Sequence, residues 1–107
     1  MCHEAMRFEE ISTMRLMNLK YFTNGKEKIV LGDAIAALKK IEDGSIDLIF
    51  ADPPYNIGKN FNGCRDKWDK DEDYLNWCYQ WLDLCVKKLK PNGSFYVMTS
   101  TQFMPFF

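Results

Sequence analysis

The sequence predicts an α/β fold, a parallel sheet with flanking helices, and three observations predict it. Short apolar runs alternate with helical patterns along the chain. One of those runs, Ile46 to Ala51, is closed abruptly by a proline pair. The stretch "DEDYLNWCYQWLDLCVKKLK" (71–90) repeats its apolar residues at helical spacing just before another apolar run. Such alternation implies right-handed crossovers between parallel strands.

Taken in order, residues 1–18 hold Met1, Met6, Met14, Met17 and mixed charges without period, and read as a poorly ordered leader. A natural start at Met14 or Met17 is expected, with the upstream residues an addition. His3, the single histidine, is a solvated residue of that leader. In "LKYFTNGKEKIVL" (19–31) an Asn24-Gly25 pair between β-prone residues signals a hairpin. Ile29, Val30 and Leu31 form a short strand ending at Gly32-Asp33. "DAIAALKKIEDGS" (33–45) reads as a helix with Asp33 at its N-cap, Ala34, Ala37, Leu38 and Ile41 on one face, and Gly44 past its end.

Ile46, Leu48, Ile49 and Phe50 read as a strand buried on both faces. Pro53 and Pro54 cannot donate to a sheet ladder, so the strand stops at about Asp52. A polar loop follows over 56–70, and then the helix of 71–90, with Tyr74, Trp77, Cys78, Trp81, Leu82, Cys85 and Leu89 on its core face. Acids crowd its start and lysines its end, as the macrodipole favours. Pro91-Asn92-Gly93 stops it, and "SFYVMTS" (94–100) is a further strand. "TQFMPFF" is an apolar tail where a next element should begin, as in part of a larger domain.

At 107 residues the chain makes one small domain. Its 47% hydrophobic content excludes a disordered tail, and a net charge of −1 excludes a binder that relies on a basic surface alone. The four cysteines lack zinc spacing and follow no secretory signal; Cys78 and Cys85 read as small core residues in a reduced, cytoplasmic setting. No apolar run reaches the roughly 18 residues of a membrane span.

The informative stretch is "IFADPPYN". Asp52 and Tyr55 are left at the carboxyl end of a strand, the edge where open α/β sheets bind ligands. For a flat heteroaromatic amine, the Asp52 carboxylate and the Pro53 carbonyl supply two acceptors for the exocyclic NH₂. Together they orient its lone pair and stabilise the positive charge that develops on attack. Tyr55 supplies a ring to stack on a base taken out of a duplex. With residue frequencies near 5%, a fixed tetrapeptide arises by chance in about one chain in a thousand of this length, so a mere rigid turn is the weaker reading. Asp33 serves as a helix cap, a role compatible with a ligand contact. Gly58-Lys59 lacks the other residues of a phosphate loop. Trp77 and Trp81 read as core, Trp68 either lines the site or caps the core, and Lys59, Arg65 and Lys67 could touch phosphate but lie among many acids that argue for a solvated surface.

"GDAIAALKKIEDGSIDLIFADPPYNIGKNFNG" followed by "DKWD" resembles the amino-terminal part of S-adenosylmethionine-dependent DNA methyltransferases of the amino group. Among them it is most similar to the permuted group whose Asp-Pro-Pro-Tyr motif precedes the glycine-rich cofactor loop. "GSFYVMTSTQFMPF" fits the strand that follows in adenine-N6 members. The resemblance covers about residues 19–106. It implies a partial Rossmann-like methyltransferase fold, with residues 19–107 a partial catalytic domain.

By the same resemblance, Asp52, Pro53, Pro54 and Tyr55 form the catalytic motif that holds the target base. Asp33 lies near the adenosine of S-adenosylmethionine, Phe50 and Ala51 border the methyl-donor pocket with Asp52, and Asn56 to Asn60 lie beside the flipped base. The implied reaction is direct methyl transfer to adenine N6 in double-stranded DNA. Cytosine N4, an RNA base or a protein amide are alternative acceptors. The family's phenylalanine-x-glycine-x-glycine loop is not found: of Gly25, Gly32, Gly44, Gly58, Gly63 and Gly93, no two are separated by one residue. The chain by itself is therefore expected to be a truncated, inactive piece, or a remnant that self-associates or pairs with a chain carrying the missing half.

Overall fold

A computed structural model describes residues 19–58, 60, 61 and 64–107. The leader of 1–18 and the expectation for it lie outside the described residues, as do Lys59 and the side chain of Arg65.

Strands β1 (Lys20–Thr23) and β2 (Lys28–Leu31) form the expected antiparallel hairpin, with Tyr21 opposite Val30 and Phe22 opposite Ile29. At the turn, Asn24 Oδ1 accepts from Glu27 N at 3.0 Å and Gly25 adopts φ +101°, a conformation glycine enters without steric cost. The hairpin is a sheet of its own. The expectation that the run ending at Leu31 joins the parallel sheet is therefore corrected: β2 pairs with its sequence neighbour, and Ile29 and Leu31 remain exposed.

Helix α1 (Ala34–Lys39) is capped by Asp33, whose Oδ2 accepts from Ala36 N at 2.9 Å. It is shorter than the expected 33–45. The polar turn at 42–45 is drawn instead onto the end of the long second helix, α2 (Asp71–Lys88). Gly44 N and Ser45 N donate to the carbonyls of Lys87 and Lys88 at 3.0 and 2.9 Å, satisfying acceptors that a helix terminus leaves open. Lys88, only 6% exposed, closes the junction with its Nζ 2.6 Å from Asp43 Oδ1.

That junction starts the parallel pairing of β3 (Ile46–Ala51) with β6 (Leu89–Val97); β4 (Asn60–Phe61) and β5 (Cys64–Arg65) form a short ribbon within the expected loop. Ile46 pairs with Leu89, and after an irregularity Leu48 to Ala51 pair with Ser94 to Val97. Pro91-Asn92-Gly93 does not precede the strand, as expected, but makes a bulge inside it. A Cβ on Gly93 would stand 2.8 Å from Leu89 Cδ2 and 3.1 Å from the Asp47 and Lys90 carbonyl oxygens, a tight fit that a side chain enters only if its neighbours shift. The strand ends at Val97 rather than at residue 100, and Met98 N still donates to the Ala51 carbonyl at 2.9 Å.

The core is Tyr74, Cys78, Trp81, Cys85 and Phe103, joined by Ile35 and Leu38 of α1, Ile49 and Ala51 of β3, Phe95 and Val97 of β6, and Trp68. The α2 face matches the periodicity as far as Cys85, but the helix ends at Lys88, and Leu89, expected on its core face, begins β6. Phe103, in the tail, packs on Tyr74 with ring centroids 4.8 Å apart. The expectation of a strand buried on both faces is corrected. Alternate residues of a strand point to opposite faces, and here the helices join the core on the Ile49 and Ala51 side. Leu48 and Phe50, and Tyr96 and Met98 beside them, are 46–65% exposed because no described element covers that side. Among the described residues the helices flank one face, not two. Among the described residues, no helix is long and apolar enough to cross a membrane.

Candidate functional site

Asp52 follows the last residue of β3, and its position is fixed by the parallel pairing of Ala51 with Val97. The carboxylate is exposed at the carboxyl end of the sheet. The trans diproline then folds the chain so that the half-buried Tyr55 comes back to it, and Tyr55 Oη donates to Asp52 Oδ1 at 2.5 Å. That hydrogen bond, with lesser contributions from desolvation and the carboxylate charge, raises the phenol above its ordinary pKa. An ionised carboxylate has about four lone-pair sites, so Asp52 can accept further donors beside the phenol.

The bend is held from below. Tyr74, fully buried on α2, donates its hydroxyl to the Pro54 carbonyl at 2.7 Å. Burial, the leading cause, raises the Tyr74 phenol well above its ordinary value, which keeps it a donor across the working pH range. Asn56 is 3% exposed and adopts φ +59°, a conformation that asparagine tolerates better than most residues. Its Oδ1 accepts from Trp68 N at 2.9 Å and its Nδ2 donates to Asp71 Oδ1 at 3.2 Å. Tyr55 N donates to Asp66 Oδ2 at 3.3 Å, and Gly58 N to the Asp66 carbonyl at 3.1 Å.

Asp52, Pro53, Pro54 and Tyr55 are thus brought together as one corner. Phe50 and Ala51 lie on opposite faces of β3: Phe50 is 65% exposed on the open side, and Ala51 is half-buried against the core. Asp33 stands at a different junction, after a strand outside the parallel pair, with its carboxylate engaged as the α1 cap. Of the segment 56–60, Asn56 turns its side chain into the protein, Ile57 is 48% exposed, and Lys59 is not among the described residues. Sequence reasoning missed Tyr74 and Asp66 as supports of the corner. Tyr74 reads only as core, and no spacing rule marks Asp66.

An exposed carboxylate at a strand end, paired with a tyrosine on a rigid bend, offers acceptors to an N–H donor and an aromatic edge to a flat ring. The model of a DNA methylase family matches residues 46–107. The chain is 51% identical over 85 residues to the DNA adenine methyltransferase YhdJ of Escherichia coli, covering 79% of this chain and 29% of the relative. It is 40% identical over 78 residues to the type II methyltransferase M.BamHI of Bacillus amyloliquefaciens, covering 72% and 18%. With M.HpaI of Haemophilus parainfluenzae it shares 36% over 80 residues, covering 75% and 25%. The chain therefore spans less than a third of the length of these relatives.

Proposed function

The chain belongs to the DNA methylase family, and from that premise we propose that it contributes the base-holding corner of a site that methylates adenine N6 in DNA. The observation that carries the proposal is the pairing of Tyr55 Oη with Asp52 Oδ1 at 2.5 Å on an exposed strand end. There the Asp52 carboxylate and the Pro53 carbonyl accept the two N–H bonds of the amine, and the Tyr55 ring stacks on the base. A base must leave the duplex to reach such a corner, as in other enzymes that modify bases.

As nitrogen attacks, positive charge grows on the amine, and an anionic acceptor stabilises that state more than the neutral amine. The proton then leaves the nitrogen for Asp52 or for water beside it.

The family implies a methyl donor of the S-adenosylmethionine type. The donor's cationic sulfonium and flat adenosine suit an exposed carboxylate and an exposed aromatic, which Asp52 and Phe50 provide. Asp52, Phe50 and Ala51 border it in this reading, with Asp33 toward its adenosine. When bound, it would supply an electrophilic methyl group, the carbon–sulfur bond breaking as the carbon–nitrogen bond forms and the sulfonium leaving as a neutral thioether. The glycine-rich donor loop that the resemblance implies is not found within these 107 residues. Adenine is preferred over cytosine because the relative with 51% identity is named an adenine methyltransferase.

The test exchanges the matching 85-residue segment of that relative for the segment of this chain. The product is incubated with labelled donor and unmethylated DNA, and the nucleosides are then separated. N6-methyladenine supports the proposal. N4-methylcytosine as the sole product, or no methylation by a folded swap, contradicts it.

A further inference from the structure

We propose that Asp66 and Asn56 are positioning residues that clasp the backbone of Tyr55–Gly58 and so hold the Tyr55 phenol against the Asp52 carboxylate. The inference rests on reading that corner as the base-holding site.

Asp66 is 2% exposed, and its Oδ1 has no hydrogen-bond partner among the described residues. A buried carboxylate with an unmatched oxygen is expensive, and a neutral residue of similar shape would be easier to bury. Fold stability alone therefore gives no reason for a buried, half-satisfied acceptor at this position. Its geometry does. Oδ2 accepts from Tyr55 N, the first peptide N–H after the proline pair, and the Asp66 carbonyl accepts from Gly58 N.

Asn56 completes the clasp from between these two points. Its side chain reaches Trp68 N and Asp71 Oδ1 while its own backbone sits at φ +59°. Residues 55, 56 and 58 are thus each tied to the segment that leads into α2. The Tyr55 ring leaves this fixed backbone and ends on Asp52. A ring on a loose segment would not stay there, and a misplacement of about 1 Å at a reacting site can cost a hundredfold in rate.

The test labels the chain with 3-fluorotyrosine and follows the Tyr55 resonance by 19F NMR as pH rises, with the assignment made from Tyr55→Phe. In the parent chain the Tyr55 midpoint lies above that of the urea-unfolded chain. In Asp66→Ala, shown to be folded by circular dichroism, the midpoint falls to the unfolded value, and in Asp66→Asn, which keeps an acceptor, it remains raised. A midpoint unmoved in folded Asp66→Ala overturns the proposal. If Asp66→Ala does not fold, Asn56→Gly, which keeps the backbone freedom and loses both side-chain bonds, is read in the same way.

In the segment-swapped methyltransferase, Asp66→Ala lowers kcat by about a hundredfold and changes the donor KM little, while Asp66→Asn recovers most of the rate. Equal rates for Asp66→Ala and parent overturn the clasp. If instead Asp52→Ala leaves methylation intact, the assignment of the base-holding site fails while the NMR result still reports on the clasp.

Discussion

The hydroxyl of Tyr74 donates to the carbonyl of Pro54 at 2.7 Å, across 20 residues of sequence. The one bond joins the buried face of α2 to the bend that carries Asp52 and Tyr55. The helix thereby does more than cover the sheet: its core face sets the height of the corner.

Tyr74→Phe keeps the ring packing on Trp68 and Phe103 and removes only this donor. The Pro54 carbonyl loses its partner, and unfolding free energy falls by about 1–2 kcal/mol. Tyr74→Ala also removes the ring and costs about 3–5 kcal/mol. Urea titration of the two variants separates the hydroxyl from the ring. No loss in Tyr74→Phe would mean that the hydrogen bond contributes nothing.

Asn56 combines a positive φ with two side-chain bonds, so its substitutions separate the two. Asn56→Gly keeps the backbone conformation without strain and loses the bonds. Asn56→Ala loses the bonds and adds roughly 1 kcal/mol of left-handed strain. Thermal unfolding is expected to rank the parent above Gly and Gly above Ala; Ala above Gly would contradict the backbone argument.

The Lys88 hydrogen bond and charge hold the Asp43 carboxyl below its ordinary value of 3.8. Since the folded-state pKa is depressed, this stabilisation is fully present above the unfolded value. It is lost as pH falls through the folded one. Thermal midpoints of the parent are therefore expected to drop more steeply below about pH 4 than those of Asp43→Asn, which begins less stable at neutral pH. Parallel curves would show that the pair is not linked to folding.

Cys78 and Cys85 are buried free thiols. Burial pushes Cys78 up to about 11 and raises Cys85 as well. A thiolate is the reactive species, so neither residue should be alkylated by iodoacetamide at pH 8 until denaturant is added. Peptide mass mapping reads this directly, and rapid labelling of either residue in the native chain would show that the α2 face is open.

Much of this architecture is legible in the sequence because its signals are local. Asn24-Gly25 marks the hairpin, the apolar period marks α2, and Pro53-Pro54 ends β3 where Asp52 must emerge. What is not legible depends on partners distant in the chain. Ile49 and Phe50 look alike as residues, yet only the side facing α1 and α2 is covered. Asn24-Gly25 marks the run at Ile29 to Leu31 as a hairpin strand, but nothing local says that its other edge stays out of the parallel pair. Lys88 and Asp66 read as surface charges, because nothing in their spacing announces Asp43 or the backbone of Tyr55. The corner was visible as a motif, whereas its supports were not.

The most direct measurement is the rate of methyl transfer to adenine in a single turnover of the segment-swapped enzyme, with and without the Asp52 carboxylate. Asp52→Ala should lower that rate by about a hundred- to a thousandfold while the protein stays folded. A rate within about twofold of the parent, in a folded variant, would contradict the role given to the Asp52 carboxylate and with it the assignment of the site.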